Sequence, residues 1–184
     1  GFRLNYHQTV KPVTIGSTAY YEYVDEDGTA HYFYKDENQK WIDETGIQLT
    51  LIIGTGTEDM YTITDKNDQK LIFGSDSYLR KIVDANSNTL TVSWNGGQIS
   101  KLTDGVGRTL TLTYTSGVLT SITGPDGTVT LAYGGGMLSL VTDVDGRKFD
   151  YVYDARRLLI AATNIDGYQV SFDYTAQAPY RVVA

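Results

Sequence analysis

Between residues 84 and 174, hydrophobic and polar side chains alternate in short blocks that recur along the chain. In one block Leu110, Leu112 and Tyr114 take every second position, and threonines occupy the positions between them. This period of two, with hydroxyl side chains on the polar side, predicts a half-buried antiparallel strand. The aromatic residues that close successive blocks stand at positions 94, 114, 133, 153 and 174, in steps of 20, 19, 20 and 21 residues. A nearly fixed period of this length is typical of a repeat architecture.

Turn signals separate the blocks. An Asn-rich stretch after Asp84 introduces the first block, and Asp-Gly pairs introduce the later ones: Asp104-Gly105, Asp126-Gly127, Asp145-Gly146 and Asp166-Gly167. Such pairs supply the positive φ that a tight hairpin turn needs. A second, glycine-bearing turn follows each aromatic, and then a shorter strand of the form Leu-x-x-Ile, as in Leu119 and Ile122. A spacing of three breaks the alternation, so we expect a β-bulge or a sharp bend there.

The first part of the chain is less regular but also predicts strands. Tyr20–Val24 and His31–Tyr34 flank an acidic turn and predict a hairpin, and Phe2–Tyr6 is a candidate strand. Helical periodicity is not sustained anywhere, and Ser77–Val83 could hold one helical turn at most.

The predicted fold class is therefore all-β, made of antiparallel hairpin repeats of about 20 residues in a curved, winding sheet. We expect residues 1–63 to form an N-terminal β-hairpin segment that packs on or extends the repeats. Residues 64–184 would form the repeat array, incomplete at the C-terminus. Deleting the N-terminal segment should then impair cooperative folding, because an isolated hairpin sheet needs cover for its apolar face.

The recurring line Asp-Gly … Tyr … Gly-x-Leu-x-x-Ile-Thr resembles the YD repeat of the Rhs family. That family includes bacterial wall-associated proteins, shell components of Tc toxins, and teneurins. The resemblance covers residues 84–174, with a degenerate extra copy at Asp65–Val83. It implies a large β-shell that coils round and, in toxin members, encloses a C-terminal toxic segment. Toxin members also cleave themselves near an Asp-Pro motif at the end of the shell, and no Asp-Pro dipeptide occurs in this chain.

Composition excludes several classes of function. The net charge of −7 and the absence of a Lys/Arg cluster argue against nucleic acid as a partner. No run of about 18 apolar residues exists, so the sequence predicts no membrane-spanning helix. Cysteine is absent, which removes disulfides, zinc–thiolate sites and thiol nucleophiles together.

Candidate catalytic groups are few. His7 and His31 are the two histidines, and neither has the spacing of a metal-ligand pair. His31 falls in a strand among aromatic residues, which favours a structural role. The sequence contains no Gly-x-Ser-x-Gly elbow, and its glycine-rich stretches lack the ending of a phosphate-binding loop. We predict no catalytic residues, no cofactor-binding residues, no metal ligands and no cofactor.

Paired carboxylates leave two interpretations open. Asp84, Asn86 and Asn88 have the alternating oxygen spacing that begins a calcium-binding EF-hand loop, but position twelve would be Asn95 instead of a glutamate. In the other interpretation these side chains bond their own backbone and build turns. The latter is favoured, because the same pattern recurs wherever a turn is predicted: Asp25/Asp27, Asp65/Asp68 and Asp143/Asp145.

Three functions from different classes follow. The leading hypothesis is a non-enzymatic structural segment of a large secreted or cell-surface Rhs/YD-repeat protein, part of a shell that encloses or carries a C-terminal toxin. Its partners would be the flanking repeats and the C-terminal domain of the same polypeptide, in an extracellular or cell wall-associated location. The alternative is a module that binds carbohydrates or cell-surface proteins through solvent-facing aromatic residues. An enzyme with its site hidden in loops is the third and least favoured hypothesis.

Overall fold

The computed structural model describes residues 4–183, and these residues contain nineteen β-strands and no helix. The prediction of an all-β chain of antiparallel hairpins is confirmed. Leu4–Tyr6 do not continue the strand expected at Phe2–Tyr6, since Tyr6 lies in a turn; Phe2 and Arg3 lie outside the described residues. No helix of the described part of the chain is long and apolar enough to cross a membrane.

The chain divides into two compact units, residues 1–109 and residues 110–184. The sequence pattern instead changes at residue 63/64, where regular repeats begin. The packing boundary falls later because the first repeats share a core with the N-terminal strands, as described below.

Unit 1 contains ten strands, each antiparallel to the next along the chain. They are β1 Thr9–Ile15, β2 Thr18–Val24, β3 Ala30–Lys35, β4 Trp41–Asp43, β5 Thr50–Ile53, β6 Tyr61–Thr64, β7 Lys70–Phe73, β8 Leu79–Val83, β9 Thr89–Asn95 and β10 Gln98–Thr103.

Unit 1 also joins strands that are far apart in sequence. Thr9 and Tyr78 form an isolated antiparallel bridge, and the Val10 amide donates to the Ser77 carbonyl over 3.0 Å. The β1 end of the meander therefore meets the start of β8. This arrangement also corrects the helical turn allowed at Ser77–Val83, because Leu79–Val83 is strand β8.

Aromatic contacts cross the space that this pairing encloses. The Tyr23 ring meets the Phe73 ring edge-on at 6.0 Å, and the Tyr21 ring lies 5.6 Å from that of Tyr61. Phe33 and Phe73 are fully buried. Strand β5 pairs with β6, and Tyr23 of β2 packs against Phe73 of β7. The core of the N-terminal strands therefore includes side chains of the first repeat.

Unit 2 contains seven strands in the same antiparallel order and a separate two-stranded hairpin. They are β11 Thr109–Thr115, which begins at the unit boundary, β12 Val118–Gly124, β13 Gly127–Gly134, β14 Met137–Thr142, β15 Lys148–Tyr153, β16 Leu159–Thr163 and β17 Gln169–Ser171, with β18 Asp173–Tyr174 paired to β19 Val182–Val183. Its core is thin: among the described residues of this unit the buried apolar side chains are Leu112, Leu138 and Ala161.

The longer Asp turns share a geometry that residues 104–108 illustrate, whereas Asp126 lies in a tight turn between the paired residues Gly124 and Gly127. The Asp104 carboxylate Oδ1 accepts hydrogen bonds from the amides of Val106 and Arg108, at 3.1 and 2.9 Å. Gly107 takes the positive φ, at 87°, and its amide donates to the Asp104 carbonyl. The prediction that the glycine of each Asp-Gly pair adopts positive φ is therefore wrong for Gly105, but it is confirmed for Gly127, Gly146 and Gly167. The first Asp caps the turn and the residue three positions later reverses the chain.

Candidate functional site

A β-bulge recurs in the second strand of successive hairpins, as predicted from the Leu-x-x-Ile spacing. In β12, Leu119 lies opposite Tyr114 and Ser121 lies opposite Thr113, so Thr120 is the extra residue. The ladder shifts by one residue in the same way at these positions: Arg80 in β8, Ser100 in β10, Ser139 in β14 and Ile160 in β16. A bulge interrupts the regular ladder and leaves backbone groups to be satisfied in another way.

Side-chain hydroxyls supply some of the missing hydrogen bonds. The Ser100 hydroxyl donates to the Ser93 carbonyl across the hairpin, over 3.2 Å. The hydroxyl of Thr120 donates to Thr113 and that of Ser139 to Ala132, each also over 3.2 Å. The hydroxyl residue therefore stands at the bulge itself, where it bonds a carbonyl of the partner strand.

Three of the five closing aromatics, Trp94, Tyr133 and Tyr174, supply further donors, and they do so between hairpins. Tyr133 lies opposite Leu138 in its own hairpin, yet its hydroxyl donates to the Leu119 carbonyl of the preceding hairpin over 2.8 Å. The Tyr174 hydroxyl donates to the Leu159 carbonyl over 2.7 Å. In unit 1 the Trp94 indole Nε1–H donates to the Leu79 carbonyl, also over 2.7 Å.

Each accepting carbonyl belongs to the leucine just before a bulge residue. The contact therefore needs a ring with a donor at its edge, which Tyr and Trp have and Phe lacks. The sequence carries this signal, since the closing positions hold Trp94, Tyr114, Tyr133, Tyr153 and Tyr174, whereas Phe149 and Phe172 stand elsewhere in their strands. Sequence reasoning identified the aromatic period but missed the hydrogen bond.

Burial raises the pKa of three of the closing tyrosines. Desolvation raises the pKa of the Tyr133 hydroxyl, and it raises the pKa of Tyr114 together with the nearby charge that Tyr133 would carry if ionised. Tyr153 shows the same direction, again with burial as the main cause. The ordinary tyrosine pKa of about 10 already leaves these hydroxyls protonated at neutral pH, and the upward shift extends the protonated range to higher pH.

The carboxylates considered as calcium ligands serve as turn acceptors. The Asp84 Oδ1 accepts from the amides of Asn86 and Asn88, both at 2.9 Å, and its Oδ2 accepts from the Asn88 side chain at 2.8 Å. These bonds, led by the Asn88 side chain, hold the pKa of Asp84 below its ordinary value. Within residues 4–183 no group of three or more His, Asp or Glu side chains has a geometry that could hold a metal ion.

Arginines reinforce the same turns farther along. Arg108 Nε lies 2.7 Å from Asp104 Oδ2, and Arg147 Nε lies 2.6 Å from Asp143 Oδ2. The Arg108 side chain is the main cause of the lowered pKa of Asp104. Each pair spans a single turn, so the carboxylate there is already engaged by a cation and by backbone amides.

The two histidines sit in different surroundings. His31 Nε2 lies 2.8 Å from Asp25 Oδ2, and its ring stacks on Tyr23 at 5.8 Å. Asp25 meanwhile accepts backbone amides through Oδ1 at the β2–β3 turn, for example from Thr29 at 2.9 Å. His7 contacts the Trp94 ring edge-on at 5.1 Å. Both histidines thus pack against aromatic rings, in line with the structural role expected for His31.

A cavity of about 390 Å³ adjoins His31. The Tyr23 hydroxyl donates to Gln8 there over 2.8 Å, and both side chains are buried, which raises the pKa of Tyr23. The described residues around this cavity include no serine, threonine or cysteine. The His31–Asp25 pair therefore has no neighbouring serine, threonine or cysteine in the cavity to activate as a nucleophile, and the Tyr23 hydroxyl there donates to Gln8.

Comparison with known proteins finds similar chains among solved structures. No family model matches the chain, and no curated protein matches it. The crystal structure of TcdB2-TccC3-Cdc42 contains a chain that is similar over 95% of this one, at a TM-score of 0.44 and 15% sequence identity. This chain covers 10% of the length of that one.

Proposed function

We propose that this chain is a non-enzymatic structural segment of a large Rhs/YD-repeat protein, forming part of the wall of a β-shell. The observation that carries the proposal is the repeated bond from a closing aromatic to the preceding hairpin's bulge, as between Tyr133 and Leu119. This bond links neighbouring repeats, and Trp94 and Tyr174 make equivalent bonds. Stability in such arrays comes from the contacts between neighbours.

The thin core of unit 2 fits the proposal that it forms part of a shell wall. Tyr133 is 36% exposed and belongs to the apolar side of its strand, whereas Phe33 and Phe73 in unit 1 are fully buried. A sheet whose apolar side is incompletely buried is suited to line an interior. In the proposal that interior encloses or carries a C-terminal toxic segment of the same polypeptide.

The proposal includes an extracellular or cell wall-associated location and the absence of catalysis. A chain without cysteine suits an oxidising or extracellular setting but requires neither. The turn carboxylates are engaged by backbone amides, and the described residues around the His31 cavity include no serine, threonine or cysteine. Both observations support a structural role over an enzymatic one.

The test uses the full-length parent protein. Limited proteolysis should leave its C-terminal segment intact while the shell is folded. A parent carrying both Tyr133→Phe and Tyr174→Phe should expose that segment to protease at a lower temperature than the wild type, because two links between repeats are lost. Tyr168→Phe is the matched control, since this ring is 75% exposed. Equal digestion of the C-terminal segment in the folded and heat-unfolded wild type would refute enclosure.

A further inference from the structure

The turn between β9 and β10 is shorter than the Asp turns and is built differently. Asn95 ends β9 and pairs with Gln98, the first residue of β10, so the turn consists of Gly96 and Gly97. Both glycines have positive φ, at 57° and 79°. This is a two-residue hairpin turn, and its closing pair contains an asparagine that is followed directly by a glycine.

Asn95 and Gly96 form the only Asn-Gly pair in the sequence. The side-chain Cγ of an asparagine can be attacked by the backbone nitrogen of the next residue, and a glycine there has no Cβ to hinder the approach. Both residues are exposed, and nothing lies within 4 Å of the place that a Cβ on Gly96 would take. Sequence and exposure therefore favour this attack at Asn95.

Hydrogen bonding distinguishes Asn95 from the asparagines in the Asp turns. Within residues 4–183 the Gly96 amide donates to no acceptor, and the Asn95 side chain makes no hydrogen bond. In three Asp turns the amide that follows an asparagine is instead held by the carbonyl of the first turn residue: Gln39 by Asp36, Asp68 by Asp65 and Ser87 by Asp84, over 3.1, 3.2 and 3.0 Å. An amide must lose its proton to become a nucleophile, so such a bond has to break before the attack.

We propose that Asn95 is a site of spontaneous deamidation. The Gly96 nitrogen loses its proton to water and attacks Asn95 Cγ, the bond from Cγ to the side-chain nitrogen breaks, and ammonia leaves with a proton taken from water. Water then opens the resulting succinimide ring at one of its two carbonyls. One opening leaves an aspartate in place of Asn95, and the other leaves an isoaspartate, in which the main chain runs through the side-chain carbon. The scaffold proposal does not depend on this site.

An isoaspartate at this position should disturb the hairpin, because it adds one carbon to the main chain next to the turn. The length of a hairpin loop fixes the register of its strands, so the Asn95–Gln98 pair should shift. Trp94 comes directly before the modified residue and carries the indole bond to the Leu79 carbonyl. Deamidation should therefore weaken this link in chains that have aged.

The test follows the folded whole chain during incubation at mildly alkaline pH, with tryptic digestion at successive times. One tryptic peptide, residues 82–101, contains Asn86, Asn88 and Asn95, so mass spectrometric fragmentation compares the three sites within one molecule. Asn95 should convert from amide to carboxylate at least about tenfold faster than the other two, a ratio that a barrier lower by about 1.4 kcal/mol produces. An isoaspartate-specific methyltransferase should then label this peptide. If Asn95 reacts no faster than Asn86 in the folded chain, the proposal is wrong.

Two glycine variants of the same turn separate the chemistry from strain. Gly96→Ala places a methyl group on the attacking residue and should slow the reaction at least about tenfold. Gly97→Ala strains the turn in the same way, since both glycines have positive φ, but it leaves the attacking residue unchanged and should not slow the reaction. Equal slowing in the two variants would overturn the assignment.

Hydrogen exchange tests the consequence for the hairpin. The purified isoaspartate form should exchange its Trp94 indole N–H faster than the Asn95→Asp variant, which has the same charge and an ordinary main chain. Equal exchange in these two proteins would show that the longer main chain does not loosen the Trp94 link, and this part of the inference would be wrong.

Discussion

Replacing Tyr133 by Phe removes one hydroxyl and leaves the ring, so it isolates the bond that links two hairpins. The hydroxyl donates to the Leu119 carbonyl over 2.8 Å, beside a bulge. A hydrogen bond of this kind contributes about 0.5–1.5 kcal/mol net. Because Tyr133 is 36% exposed, water can replace part of the lost bond, and we expect a loss of about 0.5–1 kcal/mol in the free energy of unfolding.

The repeat supplies an independent copy of the same experiment. The Tyr174 hydroxyl makes the equivalent bond to the Leu159 carbonyl over 2.7 Å, so Tyr174→Phe should cost a similar amount. The two bonds share no residue, and the double variant should therefore lose the sum to within about 0.5 kcal/mol. Urea unfolding followed by circular dichroism measures all three variants, and the dependence on urea should be unchanged.

A pH series adds a second signature. Burial raises the pKa of Tyr133 in the folded chain, so the hydroxyl stabilises the fold below its unfolded pKa of about 10. That contribution is lost as pH rises through the folded pKa. The difference in stability between the wild type and Tyr133→Phe should therefore shrink above about pH 10.

Tyr168→Phe is the control, since the Tyr168 ring is 75% exposed. It should change the free energy of unfolding by less than about 0.5 kcal/mol. If Tyr133→Phe and Tyr174→Phe lose no more than this control, the hydroxyls do not stabilise the array and the argument for linked hairpins is refuted.

Three further predictions concern a turn, the core and acid stability. Gly107→Ala should lose about 1–2 kcal/mol in urea unfolding, because its φ is +87°, whereas Gly105→Ala in the same turn has an ordinary φ and should be near neutral; equal losses would contradict the turn assignment. Phe73→Ala, in the fully buried core of unit 1, should lose about 3–5 kcal/mol, and a loss below about 1 kcal/mol would show that the core is misassigned. The Arg108 side chain lowers the pKa of Asp104, so this pair stabilises the fold above about pH 4 and the contribution is lost as pH falls further. Arg108→Gln should reduce the acid-induced drop in melting temperature measured by calorimetry, and an unchanged drop would contradict the pairing.

The strands and bulges were accessible from the sequence because both depend on local spacing. Alternation at Leu110, Leu112 and Tyr114 is enough to predict a strand, and the step from Leu119 to Ile122 is enough to predict a bulge. The turn was harder, since Asp104 and Gly107 divide between them the roles that an adjacent Asp-Gly pair was expected to play.

Contacts between distant residues could not be predicted in the same way. The bridge from Thr9 to Tyr78 depends on how far unit 1 curls, which no local pattern records. The contact between the Tyr21 and Tyr61 rings at 5.6 Å likewise joins β2 and β6, which are far apart in sequence.

The most direct test of linked hairpins is hydrogen exchange at the Trp94 indole N–H, which donates to the Leu79 carbonyl of the neighbouring strand over 2.7 Å. We predict strong protection that disappears only when unit 1 unfolds, so the exchange rate should follow the stability measured with urea. An indole N–H that exchanges as fast as free tryptophan in the folded chain would contradict the account.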